Sequence, residues 1–144
     1  PPGLEERALR SLKDERENMT ENVFRFPFEK LEVWHLAVEF ADFILDLMES
    51  FPPNSILDSS ANGGSSNKLA QNIAEGKGRQ YKKEFIQYLY VAEGSLFEVL
   101  TLTEIFMRRR LLKEQEGAEI RKKAEVIDRK LHGLINSLRN RSMN

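Results

Sequence analysis

The chain has 144 residues, 40% apolar and 31% charged, with 8 glycines, 5 prolines and no cysteine. That length suits one domain. The missing cysteines exclude disulfides, thiolate nucleophiles and zinc–thiolate sites, and no apolar run reaches the ~20 residues of a membrane span. A net charge of −1 hides an asymmetry, because residues 1–65 carry 13 acidic and 6 basic side chains, whereas residues 66–144 carry 10 acidic and 16 basic ones. With few glycines and prolines and no concentration of β-branched residues, the composition leans to an all-α chain. No signal peptide is visible, which predicts a soluble, cytoplasmic protein.

Residues 1–27 read as a polar N-terminal extension. Leu4, Ala8 and Leu12 recur every four residues, so a short helix there is predicted to fray or to dock on a neighbouring subunit. The first strong helix is predicted from about Leu31 to Ser50. Leu31, Trp34, Val38, Ala41, Leu45 and Met48 draw its apolar stripe. Phe40, Phe43, Ile44 and Leu47 widen that stripe and imply cover on more than one side. Phe51-Pro52-Pro53 ends the helix, since proline breaks the hydrogen-bond ladder and disfavours helix in the residue before it.

Residues 54–67 (NSILDSSANGGSSN) read as a loop around Gly63-Gly64. A short second helix is then predicted from near Asn67, ending where Gly76 or Gly78 supplies a left-handed cap. The third helix, about Tyr81 to Arg110, has its stripe through Phe85, Ile86, Leu89, Ala92, Leu96, Val99, Leu100, Thr103 and Phe106. Gly94 in its middle costs roughly 1 kcal/mol against alanine, which predicts a close helix–helix approach there. A fourth helix, about Lys113 to Leu138, repeats Ile120, Ala124, Ile127, Leu131, Leu134 and Leu138 as an a/d seam. Residues 139–144 read as a frayed tail. Long helices joined by short connections predict an antiparallel up-and-down four-helix bundle over residues 28–138.

Chemistry is sparse in this pattern. Glu32 and His35 form a Glu-x-x-His, the spacing of di-iron carboxylate bundles, but that centre needs two such motifs, and His132 has Arg129 three residues before it. No metal and no other cofactor is implied. The Gly76-Lys77-Gly78-Arg79 turn follows a helix instead of a strand and lacks the phosphate-loop pattern. It reads as a corner between helices, with an anion at Lys77, Arg79, Lys82 and Lys83 as the alternative. Arg108, Arg109 and Arg110 close the third helix, where cations complement the macrodipole; phosphate contact is the sharper reading of them. Asn72, Glu75 and Arg79 share one helix face. Glu75–Arg79 is predicted to pair at i,i+4, and Asn72 and Glu75 to bond backbone groups at a helix or subunit junction.

Three segments carry a recognisable pattern: FEKLEVWHLAVEFADFILDL (28–47), NIAEGKGR (72–79) and KKEFIQYLYVAEGSLFEVLT (82–101). In order and spacing they resemble the four-helix bundle proteins encoded in intervening sequences of bacterial 23S ribosomal RNA genes, over roughly residues 28–138. The resemblance implies an antiparallel bundle that assembles as a homopentamer. It also implies similarity in architecture to the accessory protein of diversity-generating retroelements, a basic pentamer that binds reverse transcriptase and nucleic acid. Within this pattern Trp34, Asn72, Glu75 and Gly76 are signature positions with a structural reading. Gly63 and Gly64 stand where the family commonly has an arginine pair, Ala70 where proline is frequent, and Tyr81 where serine or threonine caps the next helix. The first two departures predict a shorter second helix with its basic face reduced to Lys68.

The reading is a non-enzymatic, oligomeric interaction or scaffold protein. Its partners would be RNA, DNA or a nucleic-acid enzyme, with no membrane and no small-molecule substrate. The alternatives are a purely structural homo-oligomer with protein partners only, and a metal-dependent bundle enzyme.

Overall fold

The computed structural model describes residues 3–21, 23–51 and 59–142. It is all-α, with no strand among the described residues. The five helices are α1 (Leu4–Glu21), α2 (Glu32–Glu49), α3 (Ser59–Lys77), α4 (Lys82–Arg108) and α5 (Glu114–Ser142), and a 3-10 turn at Pro27–Lys30 precedes α2. Helix α3 packs on α2 and α4, and α5 packs on α4 and α2, so α2 to α5 close a bundle of helices.

Every residue of α1 whose side chain is described is exposed, and α1 packs on no other helix there. Helix α2 ends at Glu49, with the Ser50 hydroxyl donating to the Leu47 carbonyl at 2.7 Å. Pro52, Pro53 and the rest of 54–58 lie outside the described residues. The face that α2 buries runs through Val33, Ala37, Phe40, Ala41, Ile44 and Met48. The predicted stripe was therefore rotated, and Val38 and Leu45 remain 40% and 41% exposed. An apolar arc this wide has no single stripe, and contact with α3 and α5 selects the Ala37–Phe40–Ile44 edge.

Helix α3 departs furthest from expectation. It begins at Ser59, spans 19 residues and carries Gly63 and Gly64 within it, so it is not a short helix starting near Asn67. Weak propensity is overridden by packing. Ser65 and Ser66 are buried, and small side chains let α3 lie close against its neighbours. Leu69 and Ile73 complete its buried edge.

The stripe of α4 agrees with the predicted one at Phe85, Leu89, Ala92, Leu96, Val99, Thr103 and Phe106, with Ser95 added. Tyr81 precedes α4 in extended backbone and makes no side-chain cap, as its side chain implies. On α5, Ile120, Ala124, Ile127, Leu131, Ile135 and Leu138 are buried. Ile135 takes the place predicted for Leu134, because 3.6 residues per turn drift off a strict heptad. Helix α5 continues to Ser142, through most of the stretch predicted to fray, and residues 143–144 lie outside the described ones.

The glycines also differ from expectation. No glycine among the described residues has a positive φ; the left-handed residue is Arg110, at φ 60°. Arg110 follows the α4 cap residue Arg109. The Leu111 N–H reaches the Phe106 carbonyl at 2.9 Å and the Arg110 N–H reaches that of Met107 at 3.0 Å. That is the Schellman hydrogen-bond pair, with arginine where glycine is usual. A methyl placed on Gly94 would meet nothing within 4 Å, whereas one on Gly76 would lie 2.6 Å from Tyr88 Cβ and 2.9 Å from Phe85 Cδ1. Close approach is found at Gly76, against the backbone-anchored Tyr88 Cβ at the α3–α4 corner, and at Gly117, against the Met107 side chain.

Candidate functional site

Four features outside the core offer chemistry or contact. The first is the α3–α4 corner. Lys77 sits 5.7 Å above the Phe85 ring, and Arg79 lies 4.7 Å above the Tyr88 ring while donating a hydrogen bond to the Tyr88 hydroxyl. Arg79 thus turns to α4 and makes no ion pair with Glu75, contrary to the i,i+4 expectation. A stacked, hydrogen-bonded aromatic partner outweighs a solvated surface pair worth a few tenths of a kcal/mol. Asn72 donates to the Lys68 carbonyl of its own helix at 2.8 Å, so the backbone group it bonds lies within α3. Glu75 is exposed and without an ion pair among the described residues. Lys82 and Lys83 stand exposed in the first turn of α4, also without an ion pair there.

The second feature is the other end of α4. Arg108 pairs with Glu104 at 3.1 Å, Arg109 is the cap residue and Arg110 the left-handed one. The Lys113 N–H donates to the Glu116 carboxylate at 2.9 Å, which closes the start of α5. Helix α4 has 27 residues, about 40 Å at 1.5 Å each, and the two basic clusters mark its opposite ends. They do not merge into one patch on a single chain. On α5, Lys123 pairs with Glu119 at 3.8 Å and covers the Phe43 ring at 4.9 Å.

The third feature is apolar and exposed. Tyr90, Val91, Phe97 and Ile105 follow each other along α4, with Val91 at 54% and Phe97 at 49% exposure; Val38 and Leu45 do the same on α2. Ahead of α2, aromatic rings form a ladder. Phe24 meets Phe26 edge-on at 5.3 Å, Phe26 stacks on Phe28 at 6.0 Å, and Phe28 meets Trp34 at 5.0 Å. Trp34 is half-buried and packs against the core. Beside it, Arg16, Arg25, Glu29 and His35 line an open cleft of about 400 Å³.

The fourth feature is polar and crosses two helices. Glu93 of α4 contacts His132 of α5 through a short hydrogen bond between carboxylate and ring Nε2. Asp128 lies one turn before His132, its carboxylate 3.8 Å from the same ring nitrogen. Burial and then the Asp128 carboxyl hold Glu93 above the usual carboxylate range, against the pull of His132. Sequence reasoning missed this group. Its Asp128-x-x-x-His132 half is visible in the chain, but Glu93 stands 39 residues away and joins only through helix packing. The Glu32–His35 motif does not converge: Glu32 pairs with Lys130 at 3.1 Å, and the His35 ring contacts the Glu29 carbonyl at 2.5 Å.

Comparison with known proteins agrees with this architecture. A crystal structure of a protein of unknown function from the S23 ribosomal protein family of Bacteroides thetaiotaomicron VPI-5482 superposes with a TM-score of 0.65 at 21% identity, covering 72% of this chain and 97% of that one. At that identity the likeness speaks for the fold. No curated protein matches this chain. The family model described as 23S rRNA-intervening sequence protein matches residues 29–133, nearly the whole of α2 to α5, and the chain belongs to that family.

Proposed function

We propose that this chain is a non-enzymatic scaffold that assembles with copies of itself through the exposed faces of α2 and α4. The observation that carries this reading is the run Tyr90, Val91, Phe97 and Ile105 on a helix already packed on its other side. Exposed apolar side chains that recur along one helix suit a surface covered by a partner. Within each subunit the helices run as an antiparallel up-and-down bundle. In support, Glu93 in the first half of α4 meets His132 in the second half of α5, while Met107 near the end of α4 meets Gly117 near the start of α5. Family resemblance favours five subunits.

A cyclic assembly also gives the basic clusters a purpose. Among the described residues, Lys82 and Lys83 at one end of α4 and Arg109 and Arg110 at the other are exposed and outside any ion pair. A ring of copies sets each cluster into a belt of repeated positive charge, a surface suited to the phosphates of RNA or DNA. Lys82 and Lys83 sit at the positive end of the α4 dipole, where an anion is favoured and an unneutralised cation is not. The second reading, an assembly with protein partners only, is favoured by Lys77, Arg79 and Arg108 being held by Phe85, Tyr88 and Glu104.

Light scattering at micromolar concentration tests the assembly: a stable oligomer is expected, and Phe97→Glu should dissociate it. A monomeric wild type sinks the proposal. Gel mobility with single-stranded RNA at low salt separates the two readings. Retention that weakens as salt rises supports the phosphate belt, and no retention leaves the protein-only assembly.

A further inference from the structure

We propose that Glu93, Asp128 and His132 form a binding site for a divalent transition-metal ion of the zinc class, bridging α4 and α5. One ligand atom from each of the three residues lies within 4.8 Å of the other two. The donor set is an imidazole nitrogen and two carboxylate oxygens, which suits a borderline ion such as Zn²⁺. At bond lengths near 2.0–2.1 Å, ligand atoms of a tetrahedral zinc stand about 3.3 Å apart. The His132–Asp128 spacing of 3.8 Å is close to that value, and a small rotation of Glu93 away from the ring brings its oxygen to the same separation.

Two further observations point to a cation. The Asp128 Oδ1 atom is buried and accepts no hydrogen bond, its ion-pair contact being the His132 ring at 3.8 Å, although the Asp128 side chain as a whole is 34% exposed; a buried carboxylate oxygen without a hydrogen bond is costly. Glu93 has only 12% of its side chain exposed. Among the described residues, the ion-pair partner of both carboxylates is His132 alone. Two carboxylates on one imidazole leave negative charge that a divalent ion neutralises. Asp128 also lines an open groove with Leu96, Leu100 and Arg121, and the His132 side chain is 47% exposed, so solvent reaches both residues.

The geometry is built for this purpose in a way that Glu32 and His35 are not. Asp128 and His132 are spaced i,i+4 on one face of α5, and Glu93 reaches them across the α4–α5 contact. A bound ion therefore ties the two longest helices together at mid-length.

The test uses the full chain, treated with EDTA and dialysed. Calorimetric titration with ZnCl₂ is expected to show one saturable site per chain, and titration with Co²⁺ a visible absorption band of nitrogen–oxygen coordination. Hundredfold excess over Kd should raise Tm by about 6–10 °C. His132→Gln and Asp128→Asn should each weaken binding at least tenfold and cut the Tm shift at the same zinc concentration to half or less, with far-ultraviolet circular dichroism unchanged. His35→Ala, which removes the other histidine, should leave both intact. Absence of a 1:1 site, binding retained in His132→Gln, or equal loss in His35→Ala overturns the proposal.

Discussion

Replacing Gly76 by alanine tests how the α3–α4 corner is held together. The added Cβ would lie 2.6 Å from Tyr88 Cβ, whereas carbon atoms pack at about 3.5–4.0 Å. The shortfall of about 1 Å is against an atom fixed to the α4 backbone, so no side-chain rotation relieves it. Phe85 Cδ1, at 2.9 Å, blocks sideways escape. The helices must part where only residues 78–81 connect them, and a gap of this size forfeits a quarter to a half of each nearby dispersion contact. Overpacking of this kind costs about 1–3 kcal/mol, and the upper end applies because the clash is with backbone-anchored atoms. Alanine returns about 1 kcal/mol of helix propensity, leaving a net loss of about 2 kcal/mol. The assay is urea unfolding at fixed protein concentration, read as a lowered midpoint at unchanged m-value. Gly133→Ala is the control, since a methyl there meets nothing within 4 Å, and it should gain up to about 1 kcal/mol. A Gly76→Ala midpoint equal to or above wild type would refute the close-approach argument.

Arg110→Gly should stabilise the chain by about 1 kcal/mol in the same assay, because φ 60° penalises any side chain with a Cβ; a destabilised variant would show that the arginine side chain holds this turn. Leu131, wholly buried, should cost about 2–5 kcal/mol as alanine, and a midpoint within error of wild type would mean that α5 is not seated as described. Lys82→Ala with Lys83→Ala should reduce the slope of log affinity against log salt for single-stranded RNA by about 1.4; an unchanged slope removes both lysines from the interface. Gly94→Ala should raise the stability of a single subunit by up to about 1 kcal/mol, and a concurrent change in oligomer size measured by light scattering would place that methyl in the contact between copies.

How far the chain could be read differs by element, for physical reasons. Helix α4 was legible because its apolar residues repeat over 27 positions and one face is plainly the greasier. On α2 nearly every face is apolar, so periodicity identified a helix but not which edge meets the core. The start of α3 was illegible because Ser59 to Ser66 has neither strong propensity nor an apolar repeat; neighbouring helices make it helical. Glycine was read as a backbone device at Gly76 or Gly78 and as a packing device at Gly94, yet Gly76 serves packing and the left-handed turn is made by Arg110. The basic residues stand in clusters along the sequence, and Glu104 pairs with Arg108 at i,i+4 within α4, but Phe85 and Tyr88, the partners of Lys77 and Arg79, follow from helix packing. The Glu93–Asp128–His132 group was hidden for the same reason, since no local spacing relates α4 to α5 before they pack.

The N-terminal helix carries a consequence for how the molecule behaves in dilute solution. Leu4, Leu9, Leu12 and Met19 are each at least 62% exposed on a rod of 18 residues, and in proteins most of a helix's stability comes from packing of its apolar face. Its order must then be borrowed from whatever covers those leucines. Dilution that separates the molecule from that cover should melt this rod first, leaving the remaining helices intact and a protease-sensitive leader in front of them.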